Sequence, residues 1–479
     1  MSTFHEQAMS FVYQQVLHRL LGLFNRHERV ALQLLIQRLL VAAGGIERIG
    51  HFRVMVVHEG GKESAYTLAF LRAAQLSISA RAPDTFILRL VVLRQPRLTP
   101  SVMTRFQSQC NELFLYDDGR VELLHVDESG AQILNRHTQL NERPPELNRM
   151  QVLMSGHLSQ GEARVTFLYA DLLSRAKLFR TACLWGSPVS ALIDRRPPQH
   201  LGEYAQWMLR VAEHLGYVRP TGYGNAIAEA VHVCTTLDDD FKYLLCQQPP
   251  AGEAYQPMTG SGMAIINVFD CLSHETEVLS SPALLFTEGP WPAQTFNIEE
   301  PQVAVILIAA HVQGLRSHYQ TGNDYCTGVC HYLQNISAEN ALNERYKGQL
   351  TKLICATFNT PKRIQKLRLQ MEQYLNDIHG LTNEQLNCLI ESPFVEQGAG
   401  LVAFLQRHYP DKLQWANDLH HALGAHDEAC ARHSAWLQNI SGLPLGSLQV
   451  LYTMRKVDCV AGQSLIDLMC THDPHKGVP

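Results

Sequence analysis

Residues 51–75, HFRVMVVHEGGKESAYTLAFLRAAQ, constrain the fold of this chain more than any other stretch. An apolar run, a Gly-Gly pair and then apolar residues at helical spacing read as a buried strand, a tight loop and an amphipathic helix. That arrangement aims backbone N–H groups and the positive end of a helix dipole at one point, where an anion, most often a phosphate, is held. A second strand is expected over 86–93 (FILRLVVL). Strand, helix and strand together make a βαβ unit, with parallel strands and a right-handed crossover.

The flanks extend this pattern. Apolar positions at helical spacing over 8–43 predict two helices joined near Asn25-Arg26-His27 and stopped by Gly44-Gly45. Pro100 opens a helix to about residue 109, and 113–116 and 121–126 read as strands around the turn Asp117-Asp118-Gly119. The polar, proline-bearing segment 135–148 reads as a linker or exposed loop. Beyond it, 165–176 is helical or extended, 181–185 extended, and Arg195-Arg196-Pro197-Pro198 breaks the chain. A helix is expected over 202–215, followed by Gly- and Pro-rich loops at 259–262 and 288–292 whose order with other elements the sequence does not give. From 302 onward the pattern is helical, over 302–319, 338–358, 361–378 and 398–406, with no internal repeat. The expected division is N-terminal helices over 1–45, an α/β core over 46–140, an α/β continuation or mixed region over 141–300, and an α-helical domain over 301–479. The fold class is α/β: an open, mostly parallel, Rossmann-like sheet in the N-terminal part, followed by a predominantly α-helical C-terminal domain.

Composition narrows the function classes. With 479 residues, 18% charged and 46% hydrophobic, and a formal net charge of −5, the chain has ample length for several domains and no strong nonspecific attraction to nucleic acid. An RNA partner is therefore unsupported by charge. The N-terminus, MSTFHEQAMSFVYQQ, lacks a secretory pattern. The most apolar run, residues 303–310, is far shorter than the ~18 residues a membrane span requires. A cytoplasmic location without membrane insertion is expected, and twelve cysteines without a close-spaced framework fit reduced thiols.

In the loop itself, Gly60 and Gly61 allow close backbone approach, Lys62 supplies a cation, and Ser64 can cap the helix or bind a phosphate oxygen. The spacing is neither that of a Walker A motif nor that of a dinucleotide fingerprint. Glu59-Gly60-Gly61-Lys62-Glu63-Ser64 resembles the pyrophosphatase loop of the PP-loop ATPases, whose signature runs Ser-Gly-Gly-x-Asp-Ser after the first strand. The run Ser64-Ala65-Tyr66-Thr67-Leu68 is similar to the start of the first helix in tRNA thiolation enzymes of that family, and the likeness covers roughly residues 35–95.

The resemblance implies a HUP-like fold. It also implies nucleotide binding by Glu59, Gly60, Gly61, Lys62, Glu63 and Ser64, with ATP and Mg²⁺ as cofactors if the loop functions. In the family, ATP is split to an AMP-activated substrate and pyrophosphate, and Lys62 and Ser64 would then steady the β and γ phosphates. Two departures make the loop degenerate. Glu59 replaces the first serine, setting a carboxylate where phosphate would lie, which repels it unless a metal ion or a proton intervenes. Glu63 replaces the aspartate. Residues 91–95, ending the second strand, carry no adenine-reading acid, and no CxxC pair for sulfur transfer occurs.

Other clusters read as structural. Cys326 and Cys330, with His331 adjacent, share a helix face, and His426, Cys430 and His433, with His420 and His421 one turn earlier, have helical metal-ligand spacing; no metal is expected from either. Asp238-Asp239-Asp240 reads as an acidic helix N-terminus capped by Thr236. Arg195-Arg196 reads as a solvated loop or a contact for an anionic partner. No catalytic residue is identified. Two expectations result: a binding or assembly module whose helical C-terminal region meets a protein partner, or an ATP-dependent adenylating enzyme, RNA-modifying in some members of its class.

Overall fold

The computed structural model describes residues 3–94, 100–138, 146–195, 198–217, 226–247, 263–272, 301–340, 354–424, 431–458, 460, 462 and 464–474. Six strands, β1 (Arg53–Val57), β2 (Ile87–Leu93), β3 (Val121–Asp127), β4 (Gly130–Ile133), β5 (Ala191–Asp194) and β6 (Ala264–Asn267), form one sheet ordered β4-β3-β2-β1-β5-β6. All pairs are parallel except β3 with β4, which is antiparallel. Val54 of β1 aligns with Leu88 on one side and Ala191 on the other. The strand order reverses between β1 and β5. In an open parallel sheet the connections leave β1 and β5 toward opposite sides, so a crevice opens beyond their carboxyl ends.

Both faces of the central strands are covered, which is why β1 and β2 are mostly apolar, with Arg53 and Arg89 the exceptions. Helices α1 (Thr3–Leu23), α2 (Arg26–Ala43), α3 (Lys62–Ser79) and α4 (Pro100–Glu112) cover one face. There Leu20, Leu35, Phe70 and Phe106 pack with Val54, Val56, Leu88 and Leu90. The intervening residues Met55, Val91, Leu93 and Leu124 point the other way, onto Leu178, Ala182 and Cys183 of α6 (Ala170–Leu184). The α1–α2 corner is built as expected: Asn25 and Glu28 form a capping box, and Gly44 ends α2 in the left-handed region at φ 78°.

The helical part has its own large apolar core. It gathers α5 (Glu146–Ser159), α7 (Pro198–His214) and α8 (Ala226–Cys246) with helices from Pro301–Thr321 to Leu465–His472. Trp207 lies at its centre and donates its indole N–H to Met469 O at 2.9 Å. Among the described residues no helix is long and apolar enough to cross a membrane.

Several local expectations are corrected. Residues 113–116 are a turn rather than a strand, with Phe114 at φ 52° and the Leu113 carbonyl taken by Arg72 Nε at 3.2 Å. Residues 181–184 end α6, and the strand lies further on, at β5. Asp238-Asp239-Asp240 sits inside α8 rather than at a helix start: Asp238 pairs with Lys242 at 2.5 Å, Asp239 with Lys177 at 3.3 Å, and Asp240 accepts from Tyr217. The segment 135–148 runs into α5 at Glu146, with 139–145 outside the described residues, as are 259–262 and 288–292. The helix expected over 338–358 falls mostly outside them too, and the preceding helix is Tyr325–Asn340. Nine described cysteines are free, but Cys470 is disulfide-bonded, so the all-thiol expectation fails there.

Candidate functional site

The residues singled out in the loop lie together at the carboxyl end of β1, where the strand order reverses. Gly60 adopts φ +85°, and a Cβ there would lie 2.3 Å from Val102 Cγ1 on α4, so both its angles and its space require glycine. Gly61 is the N-cap of α3 in an extended conformation, Lys62 begins the helix, and Glu63 lies in its first turn. Behind the loop, His58 is buried with its ring edge on Phe106. Burial first, and then the charge of Arg195, push its imidazole down to about 3, so the ring is neutral near pH 7. The His58 Nδ1 accepts from the Gly60 N–H at 3.2 Å, which fixes the turn and places the ring proton on Nε2.

The anion at this point is the protein's own. Arg175 of α6 donates Nη2 to one oxygen of the Glu59 carboxylate at 2.5 Å, and Arg195, the residue after β5, donates to the other. Arg195 also donates Nη1 to Ser64 Oγ at 2.6 Å and lies 3.8 Å from Glu63. The Glu59 N–H closes the loop on Ser64 Oγ at 3.1 Å. Ser64 therefore pins the loop to Arg195 and does not cap α3. Burial alone would lower the Arg175 guanidinium, but Glu59 and then Asp171, 3.7 Å away, hold it above its ordinary value. Because Glu59 follows β1 and Arg195 follows β5, their ion pair spans the crevice at the switch point.

This corrects two expectations. Glu59 is neutralised by two guanidiniums, without need of a metal ion or a proton. Arg195 is neither solvated nor turned to an outside partner; its side chain is 16% exposed and bound within the chain, while Arg196 lies outside the described residues. A triphosphate does not fit this arrangement as it stands, because both arginines that could receive it are engaged by Glu59. Arg175 gave no sequence signal: it stands 116 residues from Glu59 in an ordinary helical pattern.

A shallow cleft with room for one or two water molecules, about 30 Å³, borders Arg175. It is bounded by Arg94 and Glu128 at the ends of β2 and β3, by α5 and α6, and by the helix Pro361–His379. Arg175 is a wall of both places.

Among the described residues no group of three His, Cys, Asp or Glu side chains is placed to hold a metal ion. Cys326 and Cys330 lie on the helix Tyr325–Asn340, where Gln365 donates to Cys326 Sγ at 3.7 Å and His331 meets Asn335. His420 and His421 belong to Ala416–Gly424 and His433 to Ala431–Ser441, with His426 and Cys430 outside the described residues. His433 packs on Trp415 and His420 contacts Tyr452 OH at 3.0 Å. Compared with known proteins, the chain matches no family model, no curated protein and no solved structure.

Proposed function

We propose that this chain is a cytoplasmic binding or assembly module built on a degenerate, HUP-like PP-loop domain, with its helical C-terminal region as the surface for a protein partner. The observation that carries this reading is the clamp of Glu59 between Arg175 and Arg195. A phosphate entering the crevice would have to displace a carboxylate already bonded to both cations, and that carboxylate would then stand beside it and repel it. Degeneration of the loop thus has a physical end point, in which an internal ion pair replaces the ligand and ties β1, β5 and α6 together.

The competing reading, an ATP-dependent adenylating enzyme, draws support from the position of the loop at the switch point and from the left-handed Gly60. Calorimetric titration of the full chain with ATP and AMP, with and without Mg²⁺, separates the two. Gly61→Asp is the control, since the extended backbone of Gly61 is one that any residue adopts and an aspartate there places a second carboxylate at the start of α3. The module reading expects no ATP binding that this substitution removes. Micromolar, Mg²⁺-dependent binding abolished by Gly61→Asp would establish a working nucleotide loop and overturn it.

A further inference from the structure

We propose that two copies of this chain pair through β4, antiparallel, joining their sheets edge to edge. This pairing does not depend on what the Glu59 loop holds or on what the helical region meets. β4 is the last strand of the sheet, with β3 on one side and, among the described residues, no strand on the other. It runs against β3 with Leu124 opposite Ile133 and Val126 opposite Ala131, and Leu134, just past it, donates its N–H to Leu123 O at 2.9 Å. Bonding and non-bonding pairs alternate along an antiparallel ladder, so Gly130, Gln132 and Leu134 turn their backbone groups to β3 while Ala131 and Ile133 turn theirs outward. Edges that are to stay unpaired are commonly guarded by a charge, a proline or a bulge. Gly130-Ala131-Gln132-Ile133 has none of these, its register is unbroken, and Ile133 is 66% exposed.

The outward groups set the register, and the register identifies the occupant. Using both outward residues of each strand sets Ala131 of one copy opposite Ile133 of the other, so that both pairs exchange their N–H···O bonds. The exposed Ile133 is then covered, and Gln132 faces the same residue of the second copy, where each amide can satisfy the other. In that register Glu128 of each copy comes opposite Arg136 of the other, an opposite-charge pair at each end of a neutral strand. Both side chains are exposed, and Glu128 has no ion pair among the described residues. Arg136 binds Asp117 of its own chain and lies over the Tyr116 ring at 5.6 Å, which holds the guanidinium at that end with donors left over. A slip to the next bonding register on either side sets Glu128 against Leu134 or Thr138 and loses both charge pairs. The edge is therefore complementary to itself, which favours a second copy over an unrelated strand.

Sedimentation velocity of the full chain over a concentration series tests the proposal, reaching about 100 µM because so short an interface holds weakly. The wild type should pass from monomer to dimer as concentration rises. Ile133→Lys puts a charge on the exposed edge without touching the core, and should weaken association about tenfold or more while leaving the melting temperature of the monomer unchanged. Glu128→Arg and Arg136→Glu should each stay monomeric alone, since each sets like charges together at both ends. An equimolar mixture of the two should dimerise as the wild type does, because only the mixed pair has opposite charges at both ends. Ile133→Lys decides the matter if Arg136→Glu, which also gives up Asp117, does not fold. The proposal is overturned if the wild type stays monomeric throughout, if Ile133→Lys dimerises as well as the wild type, or if the two charge variants, both folded, associate no better together than apart.

Discussion

At the residue scale the loop is held by side chains whose substitution has calculable consequences. Gly60→Ala would keep a left-handed angle that alanine resists and drive a methyl group into Val102. The combined backbone and steric penalty should be about 2–4 kcal/mol, read as a lower urea midpoint with an unchanged slope. A loss under about 0.5 kcal/mol, the size of an ordinary surface change, would mean that the turn is not as described. Ser64 and His58 show why the loop needs no ligand to be rigid: each accepts a backbone N–H from the turn, at Glu59 and Gly60 respectively.

At the element scale, α6 is joined to the sheet by a buried cation. Arg89, in the middle of β2 and without exposure, pairs with Glu122 at 2.6 Å and donates to the Ala182 carbonyl in the last turn of α6 and to the Ser187 carbonyl in the bend beyond it. Arg89→Met should cost about 3 kcal/mol, at the low end for breaking a buried ion pair because Glu122 keeps Arg53 at 3.1 Å. Urea denaturation checks this, and a loss below about 1 kcal/mol, no more than a surface pair is worth, would show that the anchor is dispensable. Which elements the sequence disclosed follows from the same physics. The first two helices, β1, α3, β2, α4 and β3 were legible because each carries a long apolar repeat or a Gly or Pro boundary. β5 was not, since four residues buried on both faces show no alternation, and the apolar end of α6 was mistaken for it. The Asp238 cluster was misread because acids after Thr236 imitate a cap, whereas the partners of Asp239 and Asp240 are Lys177 on α6 and Tyr217 in the turn after α7. Of the candidate site, residues 59–64 were legible as a local motif; the arginine clamp was not, because it closes over 116 and 136 residues of chain.

At the scale of the whole molecule, acid should unfold the protein early. His58, His157 and His311 are all buried, and burial lowers each imidazole to about 3; beside burial, the Arg195 charge also lowers His58 and the Arg368 charge also lowers His311. The unfolded chain takes up these protons near pH 6.5 and the native state does not, so stability is full above about pH 6.5 and falls as pH drops from there toward 3. Together the three contribute a slope of up to about 4 kcal/mol per pH unit across that window. Chemical denaturation at pH 7.5 and 5.5 checks it, and equal stability at the two values would contradict the burial of these rings. The central claim, that Glu59 is the anion of its own loop, is tested most directly by thermal shift of Glu59→Ser in chloride buffer titrated with inorganic phosphate, beside the wild type. Removing the carboxylate leaves Arg175 and Arg195 facing each other, so the variant should melt several degrees lower in chloride and be restored by millimolar phosphate that leaves the wild type unmoved. If the variant melts like the wild type and ignores phosphate, or if the wild type responds as strongly, the carboxylate does not fill the site and the account is wrong.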